Sequence, residues 1–306
     1  MNPQEFKRLQ FDKTPAGGWT SLYDYVYDPP SVLSPEMFLL LIVLCLSLLW
    51  LTRRWTSPAL FRGCLTIGVL LVLWEAVPTV GLLNPIFFPP PTTVLDTLAV
   101  HWSRGWLSTH ILASFHRFAV AFGLAIGIGV PVGFLLSVSS RLWGYVGSVL
   151  YCVRSIPPPA WLPIIVLWMG AGNPAAIFVV FLGAFFPIMI GTVDGFRKVD
   201  PVQVETIRTF GGNRFDVFWE VHVPTSLPDI VVGIRVGLGI GWMMLVAAEL
   251  AVSRLGTGVG WMITHARIWY DSAVILGGMG IIGVMGLMVD LLLRRALARW
   301  ADLPRA

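Results

Sequence analysis

Of the 306 residues, 56% are hydrophobic and only 12% charged, about half the charged share of an ordinary soluble domain. The net charge of +4 comes from Lys and Arg that flank apolar runs, with no basic patch interleaved with aromatics, so it is not a nucleic-acid signature. The apolar residues gather in runs of about 20, the length that crosses a bilayer as a helix, which excludes a soluble enzyme and predicts an all-α polytopic membrane protein.

In chain order, residues 1–36 read as a polar and aromatic irregular tail, with no cleavable signal peptide because the first apolar run begins only near Met37. Met37–Leu51, closed by Arg53 and Arg54, predicts an extra span within an N-terminal extension over 1–60. Six core runs follow: Cys64–Val80, Ser114–Val138, Tyr145–Met169, Ala175–Val193, Ile230–Val252 and Val274–Leu293. Between the first two, IFFPPPTTVLDTL predicts an extended proline segment and a short helix capped by Thr92 or Thr93. Gly123/Gly127, Gly129/Gly133 and Gly233/Gly237/Gly241 have the spacing that lets helix backbones approach closely. Pro157, Pro158, Pro159 and Pro163 interrupt the third core run; a break of this kind is stable in a membrane only against protein or a water-filled path.

Six ionisable residues fall within apolar runs: Glu75, Arg117, Arg154, Arg235, Glu249 and Asp290. Such residues are costly in a bilayer and mark ion or substrate routes or internal pairs. Asp290 and Arg294 are spaced for a local helix pair, while Arg154 and Arg235 can also snorkel to headgroups. Candidates for contact with a small anion are Arg154, Ser155 and Pro157 at the proline break, with Arg117, Arg235 and Glu249. Cys45, Cys64 and Cys152 have no CxxC spacing, the five histidines lack ligand spacing, and there is no Walker A, HExxH or GxSxG motif. The sequence therefore predicts no catalytic residue, no metal and no cofactor on this chain.

The most informative polar interval is Val199–Pro228, two helical halves joined at Gly211-Gly212. Val204, Ile207 and Gly211 share one face of the first half, and Phe215, Phe218 and Val221 have similar spacing in the second. Pro224 and Pro228 are expected to stop the helix before the next run. If this loop is cytoplasmic, twelve Lys and Arg lie inside and six outside, as the positive-inside rule requires, with the C-terminus inside.

Glu205, Gly211, Val221 and Val223-Pro224 stand in the register of the EAA loop of ABC-importer permeases, with Thr206 and Ile207 where that pattern has two alanines. From about residue 62 onward, RFAVAFGLAIGIGVPVGFLL, VRSIPPPAWLPIIVLWMGAG and LGTGVGWMITHARIWYDSAVI among other stretches resemble the nitrate/sulfonate/taurine-type permeases. The resemblance implies a type I permease bundle of six core helices over 61–306, a non-enzymatic transport subunit of a bacterial inner membrane. It implies a second permease copy, two cytoplasmic ATPase subunits that hold ATP and Mg, and an extracytoplasmic substrate-binding protein. Glu205, Thr206, Ile207, Arg208, Phe210, Gly211, Gly212, Phe215 and Pro224 would form the coupling element. The expected solute is a sulfonate or taurine, with nitrate, bicarbonate, cyanate or an aromatic acid as alternatives. A different class, a proton- or ion-driven secondary carrier relaying its coupling ion through Glu75, Glu249 and Asp290, lacks support from any inverted repeat.

Overall fold

A computed structural model describes residues 58–252 and 255–301, with residues 34, 36 and 40 before them. The expected N-terminal span and its tail lie outside the described residues. Eleven α-helices are described: α1 (Pro58–Thr79), α2 (Pro91–Ser103), α3 (Trp106–Val138), α4 (Ser140–Ser155), α5 (Leu162–Met169), α6 (Asn173–Arg197), α7 (Pro201–Thr209), α8 (Arg214–Val217), α9 (Val223–Ala251), α10 (Val259–Ile268) and α11 (Ser272–Ala301). Among the described residues there is no strand. Trp106–Val138, Asn173–Arg197, Arg214–Ala251 and Ser272–Leu297 are long and apolar enough to cross a membrane. The third core run is a broken pair, α4 and then Pro158–Met169, bent by 87°. The first core run folds as α1, whose apolar part, Leu65–Thr79, is the shortest.

The described residues fall into two compact units: those up to Leu107 with Ala266–Gly277, and Ser108–His265 with those from Gly278 onward. In the first unit, the expected threonine cap of α2 is not what forms. Helix α2 starts with Pro91 at its first turn, behind Pro90, and no side chain of its own caps it. The orphan amide of Thr92 instead donates to Glu75 Oε2 at 3.2 Å, and the Thr92 hydroxyl donates to Oε1 at 2.9 Å. Proline at N1 suits a helix start because its missing N–H would be unsatisfied there, and a carboxylate is favoured at that positive end. Glu75, almost fully buried, thus belongs structurally to the next helix, and Trp74 Nε1 donates to the Pro89 carbonyl beside it.

The second unit is built on the antiparallel pair α6 and α9. Their backbones meet through glycines: a Cβ on Gly191 would lie 2.8 Å from Gly233 Cα, one on Gly195 2.7 Å from the Ser226 carbonyl, and one on Gly237 2.9 Å from the Ala184 carbonyl. Any side chain larger than hydrogen at these places separates the helices. Gly133 of α3 makes the same approach to Met189 and Thr192 of α6, whereas Gly123 and Gly127 face open space. The glycine pattern was therefore a packing signal at 129/133 and 233/237 but not at 123/127. Around this pair Phe118, Ala121, Val179, Val180, Leu245 and Ala248 form an apolar core.

The expectation that Pro224 and Pro228 stop the helix is overturned. Helical structure runs without interruption from Arg214 to Ala251. Directly before Pro224 the helix widens into a π turn, Phe218–His222, in which the Val223 amide reaches back five residues to the Phe218 carbonyl. The wider turn relieves the clash that a proline ring makes with the carbonyl four residues earlier. The prolines thus shape the helix instead of ending it.

Replacing Gly233 by Val should overpack the α6–α9 contact and destabilise the purified chain by about 1–3 kcal/mol, visible as a lower thermal unfolding midpoint in detergent. Gly127→Ala, where a methyl meets nothing, should stay within about 0.5 kcal/mol of the parent.

Candidate functional site

Between α6 and α9 the chain forms a short rigid elbow. Asp200 caps α7 by accepting from the Val202 amide at 2.9 Å. Helix α7 ends at Phe210, and Gly211 takes φ +86, a left-handed value that an L side chain adopts at a cost. Gly212 lies against Ile207, so close that a Cβ there would be 2.9 Å from the Ile207 carbonyl. Asn213 then opens the next helix with a reciprocal capping box: its side chain accepts from the Phe215 and Asp216 amides, and Asp216 Oδ2 accepts from the Asn213 amide at 2.7 Å. Every turn of the elbow is tied by its own polar contacts, so it does not need a partner in order to hold its shape.

The underside of the elbow is fixed by aromatic rings. Phe218 packs against Phe134 of α3 and Phe196 of α6 with centroids 5.2 and 6.2 Å apart, and His222 stacks on Phe196 at 6.3 Å. Val217 and Val221 are buried beneath it. Lys198 at the end of α6 donates to Asp229 of α9, and that carboxylate raises the Lys198 pKa above its usual value. The opposite surface is unusually apolar for a hydrophilic loop: Val202, Phe210, Phe215 and Trp219 are exposed, Phe210 to 86%. Glu205, Thr206 and Arg208 are exposed beside them, and Ile207 is half-buried. Val204 and Ile207, expected to share a face of α7 with Gly211, are half-buried, whereas Gly211 is exposed. In the second half Phe215, expected to share a face with Phe218 and Val221, points outward instead, because it stands in the first turn where the chain has just left the cap.

The charges inside the apolar runs sort by partner. Arg117 of α3 and Glu249 of α9 form a buried ion pair, Nη1 to Oε1 at 2.6 Å with both side chains 3% exposed or less. Arg117 Nε also donates to Asn173 Oδ1 at 2.7 Å and Nη2 to Thr257 Oγ1 at 2.9 Å. Glu249 accepts from the Ser114 hydroxyl and from the Gly260 amide, while Ser114 accepts from the Val259 amide. Gly258, at φ +121, is pressed against both charges, and its amide donates to His110 Nδ1 at 3.0 Å. A desolvated pair is stable only when its remaining donors and acceptors are filled, and here they are. The network fastens α3, the start of α6, the end of α9 and the loop into α10 at one point. Asp290 accepts from Arg294 Nε at 2.6 Å, the expected local pair, and Glu75 is held by Thr92.

Two span charges remain. Arg154 and Arg235 are exposed and engage no hydrogen bond or ion pair among the described residues. Ser155, next to Arg154, donates to the Cys152 carbonyl at 2.7 Å, and Pro157 leads into the 3-10 turn Pro158–Trp161. Six expected pathway residues thus divide into a closed pair, Arg117 with Glu249, and an open group at the break, Arg154, Ser155 and Pro157, with Arg235 apart on α9. Sequence reasoning missed the partners: Ser114, Asn173, Thr257, Gly258 and Gly260 around the pair, and Phe134, Phe196 and His222 under the elbow. Only the capping box was readable in advance, since Asn-x-x-Asp before an apolar run carries that signal at Asn213.

Breaking the pair by Arg117→Met should cost about 3–5 kcal/mol, because an uncompensated buried carboxylate is left behind. Adding Glu249→Leu should recover part of that loss, read as the unfolding midpoint of the double variant against the single one.

Comparison with known proteins shows the family of the chain. Residues 125–302 match the family of binding-protein-dependent transport system inner membrane components. The chain is 33% identical over 258 residues to the taurine transport system permease protein TauC of Escherichia coli, covering 81% of this chain and 93% of that protein. It is 34% identical to the putative aliphatic sulfonates transport permease protein SsuC of Bacillus subtilis, covering 79% of this chain and 88% of that protein. It is 31% identical to the nitrate import permease protein NrtB of Synechocystis, covering 76% and 86%. In fold it is similar to a chain of the MetNI methionine ABC transporter in inward-facing conformations, with a TM-score of 0.53 at 19% identity over 63% of this chain and 95% of that one. The chain therefore belongs to the binding-protein-dependent transport system inner membrane components, among the ABC-importer permeases of the taurine, sulfonate and nitrate type.

Proposed function

We propose that this chain is the path-forming subunit for a small oxyanion, a sulfonate or taurine first, and that it works by alternating access driven by separate ATPase subunits. The observation that carries the coupling role is the elbow: a self-capped, rigid turn whose outer surface is bare Phe210, Phe215 and Trp219. A rigid apolar projection rimmed by Glu205, Arg208 and Arg214 has the form of a plug for a groove in a soluble partner. In this reading each of two ATPases takes the single elbow of one of two permease copies. ATP and Mg bind only on the ATPases, and closure of their dimer draws the elbows together. The elbow's ends are α6 and α9, so the displacement passes directly into the spanning pair.

The oxyanion reading rests on charge. The unpaired span groups are both arginines, Arg154 and Arg235, and relatives of this chain are named for taurine, aliphatic sulfonates and nitrate. The choice among them is assigned to an external binding protein. Arg154, Ser155 and Pro157 at the bend, with Arg235, supply the path; Arg117 and Glu249 brace the end from which the binding protein would deliver. The reading places the elbow and the C-terminus in the cytoplasm of a bacterium, with the second copy and the bilayer covering the remaining apolar faces.

The test is reconstitution in proteoliposomes with the ATPase and binding protein. Taurine, an alkanesulfonate, nitrate and bicarbonate are offered in turn, and ATP hydrolysis and uptake are measured with and without a protonophore. Stimulation by one oxyanion, insensitive to the protonophore, is expected; uptake that collapses with the proton gradient and needs no ATPase returns the secondary carrier. Phe210→Ala should lower ATPase co-purification at least tenfold while leaving the permease folded, since that ring touches nothing that holds the elbow. Gly211→Asp should also abolish docking and uptake, whereas Gly211→Asn, which tolerates the left-handed backbone without adding charge, should be milder.

A further inference from the structure

The two central helices are the most enclosed: α6 and the Arg214–Ala251 segment bury 56% and 50% of their apolar windows, against 33% for α3 and 28% for α11. On α9 the side facing α6 is closed by the glycine contacts, and what stays open is a narrow stripe: Val232, Arg235, Val236, Gly239 and Met243. These positions fall at three- and four-residue steps, so they share one face. A Cβ on Gly239 would meet nothing within 4 Å. Arg235 lies about 9 Å along the axis from Asp229 and about 21 Å from Glu249, well inside the apolar run. A guanidinium there is costly among acyl chains unless it reaches water or headgroups. Glu75, Arg117, Glu249 and Asp290 each have a partner; Arg235 has none among the described residues.

From this juxtaposition we propose that the Val232–Met243 stripe of α9 lines the water-filled path, and that Arg235 is the cation over which a small oxyanion passes, with Gly239 leaving the room beside it. The inference rests on the importer reading and names a specificity-determining residue within it. Its electrostatics favour sulfonate, carboxylate and nitrate oxygens over cationic groups, irrespective of which solute the binding protein delivers. The unbranched space at Gly239 sets the bulk that can pass the guanidinium. Lysine at 235 keeps the preference for charge but loses the two-pronged geometry that fits sulfonate and carboxylate oxygens.

The test measures the local charge without needing the natural solute. In the assembled importer in proteoliposomes, with Cys45, Cys64 and Cys152 replaced by Ser, Gly239→Cys is exposed to two membrane-impermeant thiol reagents of equal size. One is anionic (sulfonatoethyl methanethiosulfonate) and the other cationic (trimethylammonioethyl methanethiosulfonate). The expected result is reaction with both, the anionic reagent favoured, and a fall of about tenfold in the anionic-to-cationic rate ratio when Arg235→Gln is added. Arg235→Lys should preserve the ratio. Reaction at position 239 with a lipid-soluble maleimide alone, or a ratio unmoved by Arg235→Gln, overturns the proposal and leaves Arg235 snorkelling at a lipid face. The importer reading is scored separately: failure of the parent complex to hydrolyse ATP in response to any oxyanion sinks that reading, whatever the labelling ratio shows.

Discussion

The constraint on which the second unit depends is the contact of two backbones, α6 on α9, with glycine on both sides. In a membrane there is no hydrophobic force to press helices together, because lipid tails are as apolar as leucine. What remains is close packing, and it is strongest where Gly191 meets Gly233 with no side chain between them. Ala184 and Gly195 extend the contact in both directions, so the pair is fastened over several turns. The elbow leaves from the end of one member and returns at the start of the other. A load applied at Phe210 therefore acts on a single two-helix body, and the ring cluster of Phe134, Phe196 and Phe218 adds α3 to it.

At the far end of the same body the fastening is electrostatic. Arg117 and Glu249 are desolvated, which would be ruinous for either alone, and each fills its remaining valences with hydroxyls, an amide side chain and backbone amides. The loop from α9 to α10 follows from this demand. Its glycines at 258 and 260 bring main-chain N–H groups within reach of carboxylate and imidazole, where a Cβ would collide with the pair. The LGTGVG segment is thus shaped by the charges it encloses. Polar fixation at one end, aromatic fixation at the other and glycine packing between them make the α6–α9 body stiff.

Much of this was legible in the sequence because it is written in one dimension. Run lengths identify the four long spanning helices and the broken pair among the described residues, the Asp290–Arg294 spacing identifies its ion pair, and Gly211-Gly212 marks the bend of the elbow. What could not be read depends on what meets across the chain. Glu75 was visible only as a charge in an apolar run; its partner is an amide 17 residues on, and the need for it arises because Pro90 and Pro91 leave the start of α2 without a cap. Arg117 and Glu249 stood as separate candidates because 132 residues separate them. Pro224 misled for a different reason: proline ends an α-helix, but a π turn placed ahead of it lets the helix continue, and no local pattern announces that turn.

That π turn also bears on how motion would pass from the elbow to the path. A loop ended by prolines would hinge freely from α9, and displacement of the elbow would dissipate in the hinge. Helical structure continuous from Arg214 to Ala251 connects the elbow directly to α9, through the π turn and past Pro228. The open stripe of α9 lies on the same helical segment, so a turn of the elbow that passes the π turn would also turn Arg235 about the helix axis. A modest rotation moves a guanidinium several ångströms at the end of its long side chain, while the glycine face, close to the axis, shifts far less. In the proposed reading, small residues on one side and a single long cation on the other would convert a small movement at the elbow into a larger one where an anion is met, without prising α9 from α6.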